Sequence, residues 1–534
     1  MSKFNQRPSQ IPATGPVSTV APMLTAEGGA GYQRDAKSEL FLLAVANMVG
    51  EDTYYESGSE RDQRFRSLIH EVTLTDPSWV ARFVPFLRNE MNLRTASVVM
   101  AAEYAIALRT LSANQPIREV APSVRSVVNS ALVRADEPAE FISYWRMRSQ
   151  QLRHNLNSLP GGVQRGVADS VTRLYTERNV LKYDGNSKAM RFADVIELTH
   201  PTASAPWQDD LFRLLLDERH HRDAILTNGD RLETLMFRRW LDTTKKEVRR
   251  EILCNNSSGA AEVLKNAGAT WEWLSGWLPG GMDAEAWEWI IPSMGYMALL
   301  RNLRNFDQAG VSDAVAQTIA AKLSDPEEVA RSRQFPFRFL AAYQAASGSL
   351  RWSYALEKAL QASLSNVPAL PGRTLILVDR SGSMFWDKMS KRSDLTRADG
   401  AAVFGCALAL RAEDAELVQF GTASYPVQYR KGDAILPLIR KFRDLGETNT
   451  AHAVREHYAG HDRVIIVTDE QAHDGNVSTY VPVDVPLYTW NLAGYQAAHG
   501  ESGMTNRHTF GGLSDVAFRM IPLLESHKRQ GWPF

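Results

Sequence analysis

The stretch Leu375-Ile376-Leu377-Val378-Asp379-Arg380-Ser381-Gly382-Ser383-Met384 decides how this chain is read. Leu375 to Val378 is a short apolar, partly β-branched run of the kind that forms a buried strand. It ends on Asp379, with Ser381 and Ser383 following at two-residue spacing and Gly382 allowing a tight turn between them. One carboxylate and two hydroxyls on a loop are hard oxygen donors, suited to Mg²⁺ or Mn²⁺ rather than to zinc. Open α/β sheets place their ligand sites at the carboxyl ends of strands, where this loop would lie.

Two segments downstream extend the pattern. Arg463 to Asp469 is a second buried run that also ends on an aspartate, and Gly446-Glu447-Thr448-Asn449-Thr450 puts a threonine hydroxyl at the mouth of an expected helix. Together the pieces resemble the metal-ion-dependent adhesion site of von Willebrand factor A domains: D-x-S-x-S, then a threonine, then an aspartate after the fourth strand. Carried over position by position, the resemblance implies the ligands Asp379, Ser381, Ser383, Thr448 and Asp469.

The rest of the C-terminal third suits an α/β domain. Ala415–Phe420 and Val485–Asn491 read as strands, and Leu395–Ala412, Ala434–Arg443, Ala451–Tyr458 and Leu513–His527 have helical periodicity. Such alternation predicts a mostly parallel sheet covered on both faces, over residues 372–534. Two prolines and a glycine in Asn366–Gly372 mark its start.

With 534 residues, the chain is too long for one ordinary core. It is 44% hydrophobic and 23% charged, which is ordinary for a globular protein. The apolar runs are too short to span a bilayer, and the amino terminus shows no basic region followed by an apolar core, so no membrane partner is expected. Cys254 and Cys406 lie in no metal-ligand spacing, which excludes a disulfide scaffold and fits a reducing cytoplasm.

Residues 1–30 are rich in Pro, Ala, Thr, Ser and Gly and predict a flexible arm. From there to residue 366 helix follows helix, for example Ser38–Val49, Arg61–Glu71, Trp79–Asn89, Ala96–Arg109 and Ile117–Val133. About twenty short helices over ~330 residues cannot surround one core, whereas stacked helical pairs can.

Several of these segments are familiar as a set. Tyr32–Phe41 with Glu51–Glu56 resembles the opening of the TROVE domain of telomerase-associated, Ro and vault proteins. Asp194–Pro201 is similar to that domain's L-L-R-L-S-H-L-K-P element, and Ala298–Asn305 to its A-L-L-R-N-L segment. A TROVE module followed by an A domain resembles the Ro60 autoantigen family, and Tyr32–Ser38 is nearer its bacterial members. The resemblance implies a HEAT-like helical-repeat ring closed by the Rossmann-like A domain, in a monomer. It implies binding of Y-like RNA and of the single-stranded ends of misfolded noncoding RNA, with a 3′ exoribonuclease such as polynucleotide phosphorylase as partner. The histidine of the S-H-L-K-P element, an RNA contact in the family, maps onto His200, while Pro201-Thr202 stands where the family has leucine and lysine.

The residues themselves offer two basic patches. Lys182, Lys188, Arg191 and His200 cluster around a turn, and Arg239, Lys245 and Lys246 lie in Arg238–Arg250. Residues 141–250 hold 19 Lys/Arg against 14 Asp/Glu, a local excess of five in a chain of net charge −1. Trp271, Trp273, Trp277, Trp287 and Trp289 have the look of base-stacking platforms but read first as core anchors. No phosphate-binding G-x-x-x-x-G-K-[ST] loop is present, and neither cysteine has a catalytic histidine at a recognisable spacing, so no enzyme is expected. A second reading stays open: a scaffold without RNA, its metal-dependent A domain serving a MoxR-type AAA+ ATPase.

Overall fold

A computed structural model describes residues 15–534 apart from 47–49, 111–120, 153–158, 186, 222–230, 257–258, 335, 347–348, 366, 389–393, 513–519 and 526–530. The chain divides into two compact units, one of residues 1–72, 329–344 and 356–534, the other of residues 73–328 and 345–355. The expected combination of a helical-repeat module with a Rossmann-like A domain is the observed fold class. Among the described residues, no helix is long and apolar enough to cross a membrane.

The first unit is built on a six-stranded sheet. Its strands are β3 (Arg373–Asp379), β4 (Asp414–Phe420), β5 (Ser424–Pro426), β6 (Arg463–Thr468), β7 (Leu487–Asn491) and β9 (Arg507–Gly511), in the order β5-β4-β3-β6-β7-β9. All neighbours are parallel except β5, which runs antiparallel to β4 at the edge. Leu375, Leu377, Val418, Phe420, Val464 and Ile466 form the core against Val454 of the helix Thr450–His457. The helix Arg397–Arg411 packs on β3, and a Cβ at Gly405 would meet Val378 Cγ2 at 2.3 Å. That glycine weakens the helix interior but lets it lie against the strand. Because β3 is central, the residues after it and after β6 emerge side by side.

A second sheet changes the reading of the amino terminus. The arm expected over residues 1–30 is, from Thr19, strand β1 (Thr19–Leu24), paired with β2 (Ala30–Arg34), which pairs with the short β8 (Ala497–Ala498). The backbone makes these bonds, and a short run with a proline and half-exposed side chains gives little strand signal. A Cβ at Gly31 would meet the Ala498 carbonyl at 2.6 Å, so this position requires glycine. The hairpin is fixed by Arg34, fully buried and ion-paired with buried Glu470, and donating to the Tyr495 carbonyl at 2.9 Å. Arg61 and Arg64 of the helix Gly58–Thr75 likewise donate to the Ala493 and Gly494 carbonyls. Residues expected to open the helical module are thus part of the sheet unit.

In the second unit successive helices pack in pairs. Val124–Ala131 lies on Gly161–Leu174 where Gly166 approaches the Arg125 carbonyl, and Pro77–Asn89 lies on Arg94–Thr110. Fully buried Glu137 pairs with Arg88 at 2.8 Å and accepts the Val133 and Arg134 N–H groups, closing the turn before its helix. Two expected helices are shorter than read. Ile117–Val133 begins at Val124, residues 111–120 lying outside the described ones, and Ala434–Arg443 is confined to Ile435–Ile439, after which Gln419 Oε1 accepts the Arg443 N–H. Of Leu513–His527 only Met520–Glu525 is described.

Replacing Arg34 by alanine leaves Glu470 buried without its cation. The variant should lose about 3–5 kcal/mol from the urea transition of the sheet unit. Arg373→Ala, which removes an exposed pair to Asp414 at 3.8 Å, should lose less than about 1 kcal/mol. Near-ultraviolet circular dichroism follows both transitions, and equal losses would contradict the buried anchor.

Candidate metal centre and cationic faces

All five oxygen-bearing residues expected at the sheet's carboxyl edge are buried there: Asp379, Ser381, Ser383, Thr448 and Asp469. Asp379 ends β3, and its Oδ1 accepts the Ser381 N–H at 2.8 Å, curling the loop back on the strand. Ser381 and Ser383 hydroxyls are 3.3 Å apart, and Ser383 Oγ donates to Asp469 Oδ2 at 2.7 Å. The Thr448 loop is bonded to both others, through Gly382 N–H to the Gly446 carbonyl at 2.7 Å and His473 N–H to the Thr448 carbonyl at 3.4 Å. Thr468, quoted in the strand but not singled out, donates from Oγ1 to Asp379 Oδ2 at 2.6 Å and orients that carboxylate.

The electrostatics fit a cation. Asp379 and Asp469 are at most 1% exposed, and neither has an ion-pair partner among the described residues. Burial raises the Asp379 carboxyl above its usual range. Burial first, and the Asp379 charge second, push Asp469 up to about 7. A buried carboxylate raised by a second one beside it is a setting that a cation between the two would relieve. Among the described residues no group of three or more His, Cys, Asp or Glu side chains is arranged for a metal, and what this edge offers is two carboxylates with three hydroxyls. That composition suits a hard divalent ion.

The rim was not read from the sequence. Tyr55 OH donates to Glu27 Oε1 and lies beside Ser383 and Asp469. Burial chiefly, then the Glu27 hydrogen bond and the Asp469 charge, raise its hydroxyl well above the usual range. Half-exposed Tyr54 and Trp386 stand next to it, their rings 5.9 Å apart.

A second arrangement in this unit has the connectivity of a nucleophile, base and acid. Ser424 Oγ is 3.0 Å from His457 Nε2, and His457 Nδ1 is 3.1 Å from Glu416 Oε1. The Ser424 hydroxyl, however, donates to Glu456 Oε2 at 2.5 Å, so its proton is directed away from the imidazole.

In the helical unit the two basic patches divide into structural and exposed cations. Arg191 makes a bidentate pair with Asp184, both bonds 2.9 Å, and Asp184 Oδ1 also accepts the Phe192 N–H, starting the helix Phe192–Thr199. Arg239 is paired with Glu218, Arg238 is buried 3.7 Å from the Trp273 ring centre, and Arg250 is held by Asp283 and Glu285. Lys182, Lys188, Lys245 and Lys246 are exposed, with no carboxylate in ion-pair range among the described residues, and His200 is exposed at a left-handed helix end. Lys188 lines a cavity of about 300 Å³ with Tyr183 and Met190. Arg301 and Arg304 are also exposed without such a partner, on the helix Tyr296–Ala309. Their i, i+3 spacing inside the quoted Ala298–Asn305 segment was the available signal. Trp277 and Trp287 are buried, and Trp273 donates to Asp242 at 3.0 Å beneath Arg238, so these rings anchor packing.

Comparison with known proteins adds to this picture. A model of the TROVE domain matches residues 256–350, which include Ala298–Asn305. The chain is 27% identical over 223 residues to "RNA-binding protein RO60" of Deinococcus radiodurans, covering 38% of this chain and 42% of that protein. The resemblance to the Ro60 family holds. Mouse "Telomerase protein component 1" is 40% identical over 65 residues, 12% of this chain and 2% of its own length. The chain thus matches less than half the length of these relatives. In fold, this Ro60-like chain is similar to the crystal structure of the Deinococcus radiodurans RO (RSR) protein, with a TM-score of 0.59 and 17% identity over 86% of this chain and 93% of that one.

The two kinds of cation separate in a stability measurement. Arg191→Ala should cost roughly 1–2 kcal/mol, because Asp184 stays buried without its partner. Lys188→Ala should stay within about 0.5 kcal/mol. Urea titration of both variants checks this, and an undisturbed Arg191→Ala would contradict the structural role of the pair.

Proposed function

We propose that this chain binds RNA through the exposed cations of its helical unit and acts by binding rather than by catalysis. The observation that carries the reading is the set Lys182, Lys188, Lys245, Lys246, Arg301 and Arg304, exposed with no carboxylate in ion-pair range among the described residues, in a chain similar to a protein named for RNA binding. Exposed cations without carboxylate partners neutralise phosphates and release counterions, and this gives affinity without sequence readout. Within this proposal the ligands are Y-like small noncoding RNA and the single-stranded ends of misfolded noncoding RNA. The expected setting is the cytoplasm, with a 3′ exoribonuclease as the enzyme that receives the bound RNA.

The A-domain site belongs to the same proposal as a separate function. Asp379, Asp469, Ser381, Ser383 and Thr448 would hold Mg²⁺ or Mn²⁺, which when bound supplies an open coordination position for an acidic group. The chain's own residues keep the loops together through the Ser383–Asp469 and Thr468–Asp379 hydrogen bonds.

Filter binding of a single-stranded RNA over a salt series tests the first part. Lys182→Ala with Lys188→Ala should weaken binding and lower the salt slope by up to about 1.4, about 0.7 for each phosphate left without its cation. Affinity that is flat with salt in the parent protein would overturn the RNA reading and favour the scaffold. Asp379→Ala tests the division of labour: Mn²⁺ binding by calorimetry should be lost while RNA affinity stays within about twofold. A collapse of RNA affinity in that variant would contradict it.

A further inference from the structure

We propose that Glu27, at the tip of the β1–β2 hairpin, is the acidic ligand of the A-domain metal site, so that this chain occupies its own open coordination position. The inference rests on the metal reading above and adds a residue and a segment to it. Five protein oxygens leave a hard divalent ion short of the six it takes, and the added donor should be anionic oxygen. The hairpin brings one there.

Its turn is tied to the loop that carries Asp469. Thr25 Oγ1 donates to the Ala472 carbonyl at 2.7 Å, and the Ala26 N–H donates to Gln471 Oε1 at 2.8 Å. Gln471 in turn donates its backbone N–H to Asp469 Oδ1 at 3.1 Å. A Cβ at Gly29 would meet the Ala472 carbonyl at 2.5 Å and His473 Cα at 2.7 Å, so only glycine permits this approach. The turn is closed internally by Gly28 N–H to the Thr25 carbonyl and Gly29 N–H to Thr25 Oγ1, both 3.0 Å, with Gly28 at φ +80°. Glu27 is thereby held beside the loop that follows Asp469 while its own side chain stays exposed.

The carboxylate's hydrogen-bond partner points the same way. Glu27 has no cationic partner among the described residues; it accepts from Tyr55 OH, and Tyr55 lies beside Ser383 and Asp469. One hydroxyl therefore separates Glu27 from two of the expected ligands. With a cation present, Glu27 would turn from Tyr55 toward it, to bind directly or through one water.

Calorimetry with Mn²⁺ on the full chain, with and without millimolar acetate, tests this. The parent protein should bind one Mn²⁺ and be indifferent to acetate. Glu27→Ala should fold normally by circular dichroism, bind Mn²⁺ roughly tenfold or more weakly, and recover affinity when acetate supplies the missing oxygen. Asp379→Ala should bind no Mn²⁺ in either condition. Equal Mn²⁺ affinity in parent and Glu27→Ala, or an equal acetate effect on both, would overturn the role of Glu27 while leaving the metal site standing. No Mn²⁺ binding by the parent, or full binding by Asp379→Ala, would overturn both.

Discussion

The sheet unit depends on one buried ion pair, Arg34 with Glu470. Glu470 follows Asp469 directly and sits at φ +66°, a conformation that costs a non-glycine residue about 1–2 kcal/mol. Its N–H is taken by Thr468 Oγ1 at 3.0 Å, the same hydroxyl that donates to Asp379, and its carboxylate accepts from Asn491. The strained backbone and the site's carboxylates are thus held by one network, which needs the guanidinium of Arg34 to be complete. A residue more than four hundred positions away in sequence sets the geometry of the β6 loop.

That dependence explains why the hairpin is part of this unit. Arg34 ends β2, and a charged side chain with no exposure is stable only where its bonds are made, here to Glu470 and to the Tyr495 and Gln496 carbonyls. Gly29 and Gly31 let the strand and its turn reach the β6 and β7 loops without a side chain intervening. The hairpin and the donor set are therefore joined, the turn being bonded to Gln471 and Ala472 and Gln471 in turn to Asp469.

Much of this was legible in the chain, and the remainder was hidden for physical reasons. Apolar runs ending on Asp379 and Asp469 expose strands and their carboxyl ends together, because buried parallel strands leave a continuous signal. The D-x-S-x-S spacing fixed the hydroxyls, and the structure buries all of them at one edge. β1 was not legible, since T-V-A-P-M-L carries its pairing in backbone bonds and half-exposed faces. Nor were Glu27 and Tyr55, which meet across 28 residues through a turn that only tertiary contacts define. In the helical unit, charge alone could not separate Arg191 and Arg239 from Lys188 and Lys245. The arginines lie where a carboxylate of a neighbouring turn or helix comes within reach, and the lysines do not.

Amide hydrogen exchange of the β1–β2 hairpin tests the central claim, that this segment is locked to the loop of the metal site. The account predicts that the Ala30–Arg34 amides paired with β1 and β8 exchange as slowly as those of edge strands in the main sheet, and more slowly still when Mn²⁺ is added. Exchange of the whole hairpin at the rate of an unstructured chain, unchanged by Mn²⁺, would contradict it.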